Sequence, residues 1–147
     1  MARIKVVSRK RLKKMDLSKF TSLISIQSKK AKPLRRDFEG ERIDLFIRDS
    51  GRGSKGEWER IYRFTRAAGN SGRLLCQCVH GVNRSSAAAI ISLLHESGNP
   101  RSAAKKLYQI NPKAHIRKRI IGMIEDLFHL DRNELRRHLK RYQIEKN

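Results

Sequence analysis

The chain has 147 residues, 38% of them hydrophobic and 6% aromatic, with 35 Lys and Arg against 14 Asp and Glu. That length suits one domain, taken here as 1–147, with enough chain to bury a core. No run approaches the roughly 20 apolar residues of a membrane-spanning helix, and the formal charge of +21 sets up a field that draws in polyanions without saying anything about fold.

In chain order, Ile4 to Val7 reads as a short strand, followed by a brief basic helix to Met15. The basic stretch Lys5 to Lys14 is not followed by an apolar run, so no secretory leader is expected. Ser22 to Ile26 is β-branched and apolar, as a buried strand is. Lys29 to Gly40 is polar, contains Pro33 and predicts a loop. Arg42 to Ile47 forms the next apolar run, ending at Asp49, and the glycines of Ser50 to Gly56 predict a flexible connection. Trp58, Ile61, Phe64 and Thr65 recur at helical spacing, and Gly69-Asn70 closes that helix.

Arg73 to Cys78 then reads as a strand, and Arg84 to Glu96, rich in Ala, Ile and Leu, as a buried helix ending at Gly98. Asn99-Pro100 restarts a helix, with Asn as cap and Pro in the first turn. Ile120, Ile121, Ile124, Leu127 and Phe128 mark an amphipathic helix, and Leu135 and Leu139 a strongly basic last one at about 131–147. Strands alternate with helices early and helices dominate late. That order predicts an α/β fold, with a small, mostly parallel sheet flanked by helices.

The chemistry concentrates in one segment, Leu74-Leu75-Cys76-Gln77-Cys78-Val79-His80-Gly81-Val82-Asn83-Arg84-Ser85-Ser86. An apolar strand runs into a short loop, and the loop opens directly into a helix. Such a junction gathers inward-facing N–H groups and the positive end of the helix dipole, so it suits an anion and favours a thiolate. Five residues separate Cys78 from Arg84, enough for a loop of Val79, His80, Gly81, Val82 and Asn83 to curl around a tetrahedral oxyanion. Arg84 can grip two of its oxygens as a fork, which lysine cannot do. With 20 arginines in the chain, a bare Cys-x5-Arg is weak evidence. The strand before it, the Gly within it and the hydroxyl residue after it are what make it specific.

This segment resembles the signature of the tyrosine and dual-specificity phosphatase superfamily, His-Cys-x5-Arg-Ser/Thr, and the order of elements over Ser22 to Phe128 fits as well. The resemblance implies a dual-specificity-phosphatase-like fold and catalysis without cofactor or metal. It implies that Cys78 attacks phosphorus to form a phosphocysteine, that Arg84 binds the phosphoryl oxygens, and that Ser85 assists departure of the thiolate. The family also needs an acid from an upstream loop. Asp49, at a strand end 29 residues before Cys78, matches that position. Asp44, within the strand, and Asp37, far back in the preceding loop, match it less well.

Two features depart from the pattern. Gln77 stands where the family usually has the His that helps hold the cysteine's surroundings. Cys76, on the same strand face as Cys78, is either a small buried core residue or a resolving thiol, at a spacing near the limit for a bridge. Two cysteines so close do not make a disulfide scaffold and point to a reduced, cytoplasmic protein. A metal held by Cys76, Cys78 and His80 would lack a fourth ligand.

The leading functional expectation is hydrolysis of phosphate monoesters on protein Tyr, Ser or Thr. His80 and Asn83 make the loop similar to that of RNA 5′-phosphatases, so removal of 5′ phosphates from RNA is the second reading, although no aromatic residues interleave with the basic ones for base stacking. The others are an inactive module that binds phosphate or another polyanion, and a phosphoinositide phosphatase.

Overall fold

The computed structural model describes residues 3–50, 55–69 and 72–146. The chain opens with β1 (Ile4–Ser8) and a single helical turn, α1 (Arg9–Leu12), then runs through β2 (Ser22–Gln27) and β3 (Glu41–Phe46) to α2 (Lys55–Ala68). β4 (Leu74–Cys78) follows, and then four helices: α3 (Arg84–Ser97), α4 (Pro100–Ile110), α5 (Lys118–Leu127) and α6 (Glu134–Lys146). The strands form one sheet in the order β1-β4-β2-β3, and every pairing is parallel. The expected α/β architecture, with a small parallel sheet flanked by helices, is therefore the observed one.

Alternation along the strands sends side chains to two cores. Ile24, Ile26, Leu74, Cys76 and Cys78 face the helices, where they meet Trp58, Ile61 and the Ala87-Ala88-Ala89 run of α3. Leu23 and Leu75 point the other way, onto Leu12, Leu17, Phe20 and Phe38. The small alanines let α3 approach the sheet closely, and each large apolar side chain buried here contributes on the order of 1.5–3 kcal/mol. α3 closes at Gly98 in the left-handed region (φ 65°), and the Asn99 side chain accepts from the backbone N–H groups of Arg101 and Ser102 to start α4.

The basic last helix begins at Glu134, three residues later than its sequence suggests. Its first N–H groups are met by Glu125 of α5, which is buried and accepts from Leu135 at 2.9 Å and from Arg136 at 3.3 Å. A carboxylate at a helix N-terminus is favoured by the dipole. α2 begins at Lys55, so Gly56 is helical rather than part of the preceding loop. The rest of that loop, 51–54, and Asn70 lie outside the described residues.

Candidate active site

β4 lies between β1 and β2 and delivers Cys78 at its carboxyl end, the edge where parallel sheets gather their ligand-binding loops. Ser85, in the first turn of α3, places its Oγ 3.0 Å from Cys78 Sγ. Both side chains are buried. The loop between them is braced at several points. The Arg9 N–H donates to Val79 O at 3.2 Å, and the His115 N–H donates to Val82 O at 3.0 Å. Asn111 donates from Nδ2 to Gly81 O at 2.9 Å and to Ser86 Oγ at 3.0 Å. Gly81 adopts φ +69°, and a Cβ there would meet Ser8 N at 2.8 Å and the Val7 carbonyl carbon at 2.9 Å. Backbone on both counts leaves room only for glycine.

Arg84 begins α3 and is 2% exposed. Its Nη1 donates to Ser28 Oγ at 2.7 Å and to Ile47 O at 2.8 Å. Ser28 follows β2 and Ile47 follows β3, so the carboxyl edge of the sheet fixes the plane of the guanidinium. Its Nε has no hydrogen-bond partner among the described residues; Asp49 Oδ1 lies 3.5 Å away, an ion-pair distance only. A buried donor left unpaired costs about 1–3 kcal/mol. Arg84 itself lines the cleft with Cys78 and Asp49.

Asp49 is held in a clasp centred on Asn83. Asn83 Nδ2 donates to the backbone carbonyl of Asp49 and, at 3.0 Å, to Asp49 Oδ1. Asn83 Oδ1 accepts from the Arg117 N–H at 2.9 Å. The Arg117 guanidinium returns to Asp49 Oδ2 from Nη2 at 2.9 Å and from Nε at 3.1 Å. Partial burial pushes the Asp49 carboxyl up, but the hydrogen bonds from Asn83 and Arg117 and the charges of Arg84 and Arg117 outweigh it, so it sits below the usual carboxylate range. In this arrangement Asp49 is ionised.

These groups line a cleft of about 370 Å³ walled by Asp49, Cys78, His80, Val82, Asn83, Arg84, His115 and Arg117. The residues picked from the sequence are thus brought together, with Cys78, Arg84 and Ser85 at one point and Asp49 beside them. Asp37 and Asp44 are not: they pair with Arg35 and Arg42, each at 2.8 Å, away from the cleft. Arg117 and His115 escape a reading of the sequence, where Arg117 registers only as part of a basic run. Asn83 carries a signal, but its work in the fold is to join two loops.

Gln77 points to the face opposite Cys78, and its Oε1 accepts from Ser25 Oγ at 2.6 Å in the buried sheet. It ties β4 to β2 from beneath the loop. Cys76 is fully buried in the core, and that burial pushes its thiol well up, which matches the packing reading and not the resolving one. Both cysteines are free. No group of three or more metal-binding side chains occurs among the described residues, and no helix among them is long and apolar enough to cross a membrane.

The chain has the fold of the cysteine-dependent tyrosine and dual-specificity phosphatases. It superposes on human DUSP28 with a TM-score of 0.72 over 88% of this chain and 90% of that one, at 14% identity. DUSP15 gives 0.69 over 96% and 92% of the two chains at 19% identity. Tk-PTP, solved in its active form, gives 0.66 over 88% and 93% at 17% identity. No family model and no curated protein matches the sequence.

Proposed function

We propose that the chain is a cysteine-dependent phosphatase that hydrolyses phosphate monoesters on protein Tyr, Ser or Thr through a phosphocysteine intermediate. The observation that carries this reading is the meeting of Cys78, Ser85 and Arg84 at one loop, with Cys78 and Arg84 lining the same cleft. A phosphoryl group in the loop is gripped by Arg84 and by inward N–H groups, which stabilise the charge of the transition state. Cys78 Sγ attacks phosphorus, an S–P bond forms, and the P–O bond to the leaving group breaks. Asp49 donates the proton that the leaving oxygen needs. Water then attacks the phosphocysteine, giving up a proton to Asp49, and Cys78 departs as thiolate beside Ser85 Oγ.

Asp49 is ionised while it faces two guanidinium groups. A phosphoryl dianion bound to Arg84 brings negative charge beside it, which raises its proton affinity for the first step. No residue in this account needs a metal or a cofactor.

The test compares wild type with Cys78→Ser on an aryl phosphate, a phosphotyrosine peptide and a phosphoserine peptide. The expected result is turnover by wild type only, with phosphate or a phosphate mimic still bound by Cys78→Ser. Undiminished turnover in Cys78→Ser would rule out the covalent mechanism.

A further inference from the structure

Two cavities beside the catalytic loop are walled by cations. The first, about 280 Å³, lies between α4, α5 and α6 and holds Lys118, Arg136 and Lys140 over a floor of Tyr108, Ile116 and Leu139. It joins the cleft of Cys78 through His115, which lines both and whose backbone N–H is bonded to Val82 of the loop. The second, about 570 Å³, is walled by Lys10, Arg11, Lys14 and Lys113. It reaches the loop by another route, through Ser8 and Arg9, whose N–H is bonded to Val79.

No carboxylate is among the residues lining either cavity. Lys10, Arg11, Lys14, Lys113, Lys118, Arg136 and Lys140 form no ion pair among the described residues. Elsewhere some arginines find carboxylates, as in Arg3–Glu96, Arg35–Asp37 and Arg42–Asp44, whereas neither cavity offers one. Charge left uncompensated in concave sites focuses the field on a ligand.

We infer that the substrate is a protein segment whose phosphorylated residue is flanked on both sides by acidic or further phosphorylated residues, which these two cavities hold. The inference rests on the phosphatase reading and narrows its substrate. Two features favour a polypeptide over the end of an RNA. A chain phosphorylated internally leaves the loop in two directions and meets both cavities, whereas a 5′ end leaves in one. Among the described residues no Trp or Phe lines the cleft or either cavity, and the one Tyr, Tyr108, is 2% exposed, so the rings left for a base are only the two imidazoles of His80 and His115.

The test uses four phosphopeptides of one core sequence, with acidic residues on neither flank, on the N-terminal flank, on the C-terminal flank or on both. A 5′-phosphorylated oligonucleotide of matched charge is the fifth substrate. Each protein's rate on the neutral peptide is its own reference, so a loss of folded protein cancels. Wild type should prefer the doubly acidic peptide by about tenfold in kcat/KM at low ionic strength, and the preference should shrink as salt is added.

Arg136→Gln with Lys140→Gln should remove the preference for one flank. Arg11→Gln with Lys14→Gln should remove it for the other. Equal rates on all four peptides, a preference untouched by both pairs of substitutions, or a better rate on the oligonucleotide would each overturn the inference. Failure to hydrolyse any peptide or aryl phosphate would instead count against the phosphatase reading. Affinities of the same peptides for Cys78→Ser then decide the flanking preference without turnover: tighter binding of the doubly acidic peptide supports the inference, and equal binding overturns it.

Discussion

Replacing Arg117 with Ala tests how the proposed acid is held. Arg117 and Asp49 are both about half exposed, at 56% and 44%, and pair at 2.9 Å. Ion pairs of that exposure are worth about 0.2–1 kcal/mol. The guanidinium stabilises the carboxylate, so its removal raises the proton affinity of Asp49. On the basic limb of the pH profile the protonated fraction should then rise by a factor of about 1.4 to 5, by the Boltzmann factor of that energy. The assay is kcat/KM against pH for two phosphate esters, one with a poor leaving group and one with a good one. With the poor leaving group, which needs the proton, the basic limb should move to higher pH in Arg117→Ala. It should stay put with the good one. Arg117→Lys should restore part of the wild-type profile, since it returns the charge but not the fork. A limb that does not move, or that moves equally when Asp49 is already Asn, would refute the reasoning.

Three further outcomes follow from the same contacts. Ser85→Ala removes the hydroxyl 3.0 Å from Cys78 Sγ and should slow the second step by of order 10², seen as a burst of leaving-group release with kcat reduced and kcat/KM held. Gly81→Ala forces a Cβ into the Val7–Ser8 backbone at a positive φ, which should cost about 1–3 kcal/mol in thermal unfolding and weaken phosphate binding. Gln77→Leu strands the Ser25 hydroxyl in the sheet and should cost about 1–3 kcal/mol, whereas Ser25→Ala with Gln77→Leu should recover most of it in chemical denaturation.

Much of the fold was legible because each element announces itself locally. The β-branched run at Ser22–Ile26, the apolar approach to Cys78, the alanine-rich start of α3 and the Asn99-Pro100 restart all appear where expected. Boundaries failed where a distant residue decides them. α6 begins at Glu134 because Glu125, in the preceding helix and nine residues back in sequence, supplies the acceptors for its first N–H groups. At the site, Cys78, Arg84 and Ser85 could be read because one loop carries them in sequence. Ser28 and Ile47 could not, since the contacts they make to Arg84 depend on two strands ending at the same edge. Arg117 was hidden for another reason: among 20 arginines, nothing local marks the one that folds back on Asp49. Gln77 looked like a loss at the cysteine, yet the pleat turns it away from Cys78 and onto Ser25.

On the proposed mechanism, the clasp on Asp49 makes phosphate binding and acid placement one event. Asn83 sits inside the loop that would surround the phosphoryl group, and its amide holds both the Asp49 backbone and the Arg117 backbone. Any shift of the loop on binding is therefore passed to the acid through a single side chain. Arg84 couples them a second way. Its Nε meets Asp49 only at 3.5 Å, a loose contact that a phosphoryl oxygen at ordinary hydrogen-bond distance would improve upon. A dianion offers the guanidinium two oxygens where Asp49 offers one, so it can take over Arg84 while Asp49 stays tied to Asn83 and Arg117. The carboxyl then remains beside the leaving group but has exchanged a neighbouring cation for an anion-occupied one. That exchange is the change a group needs if it is to rest as a carboxylate and act as an acid.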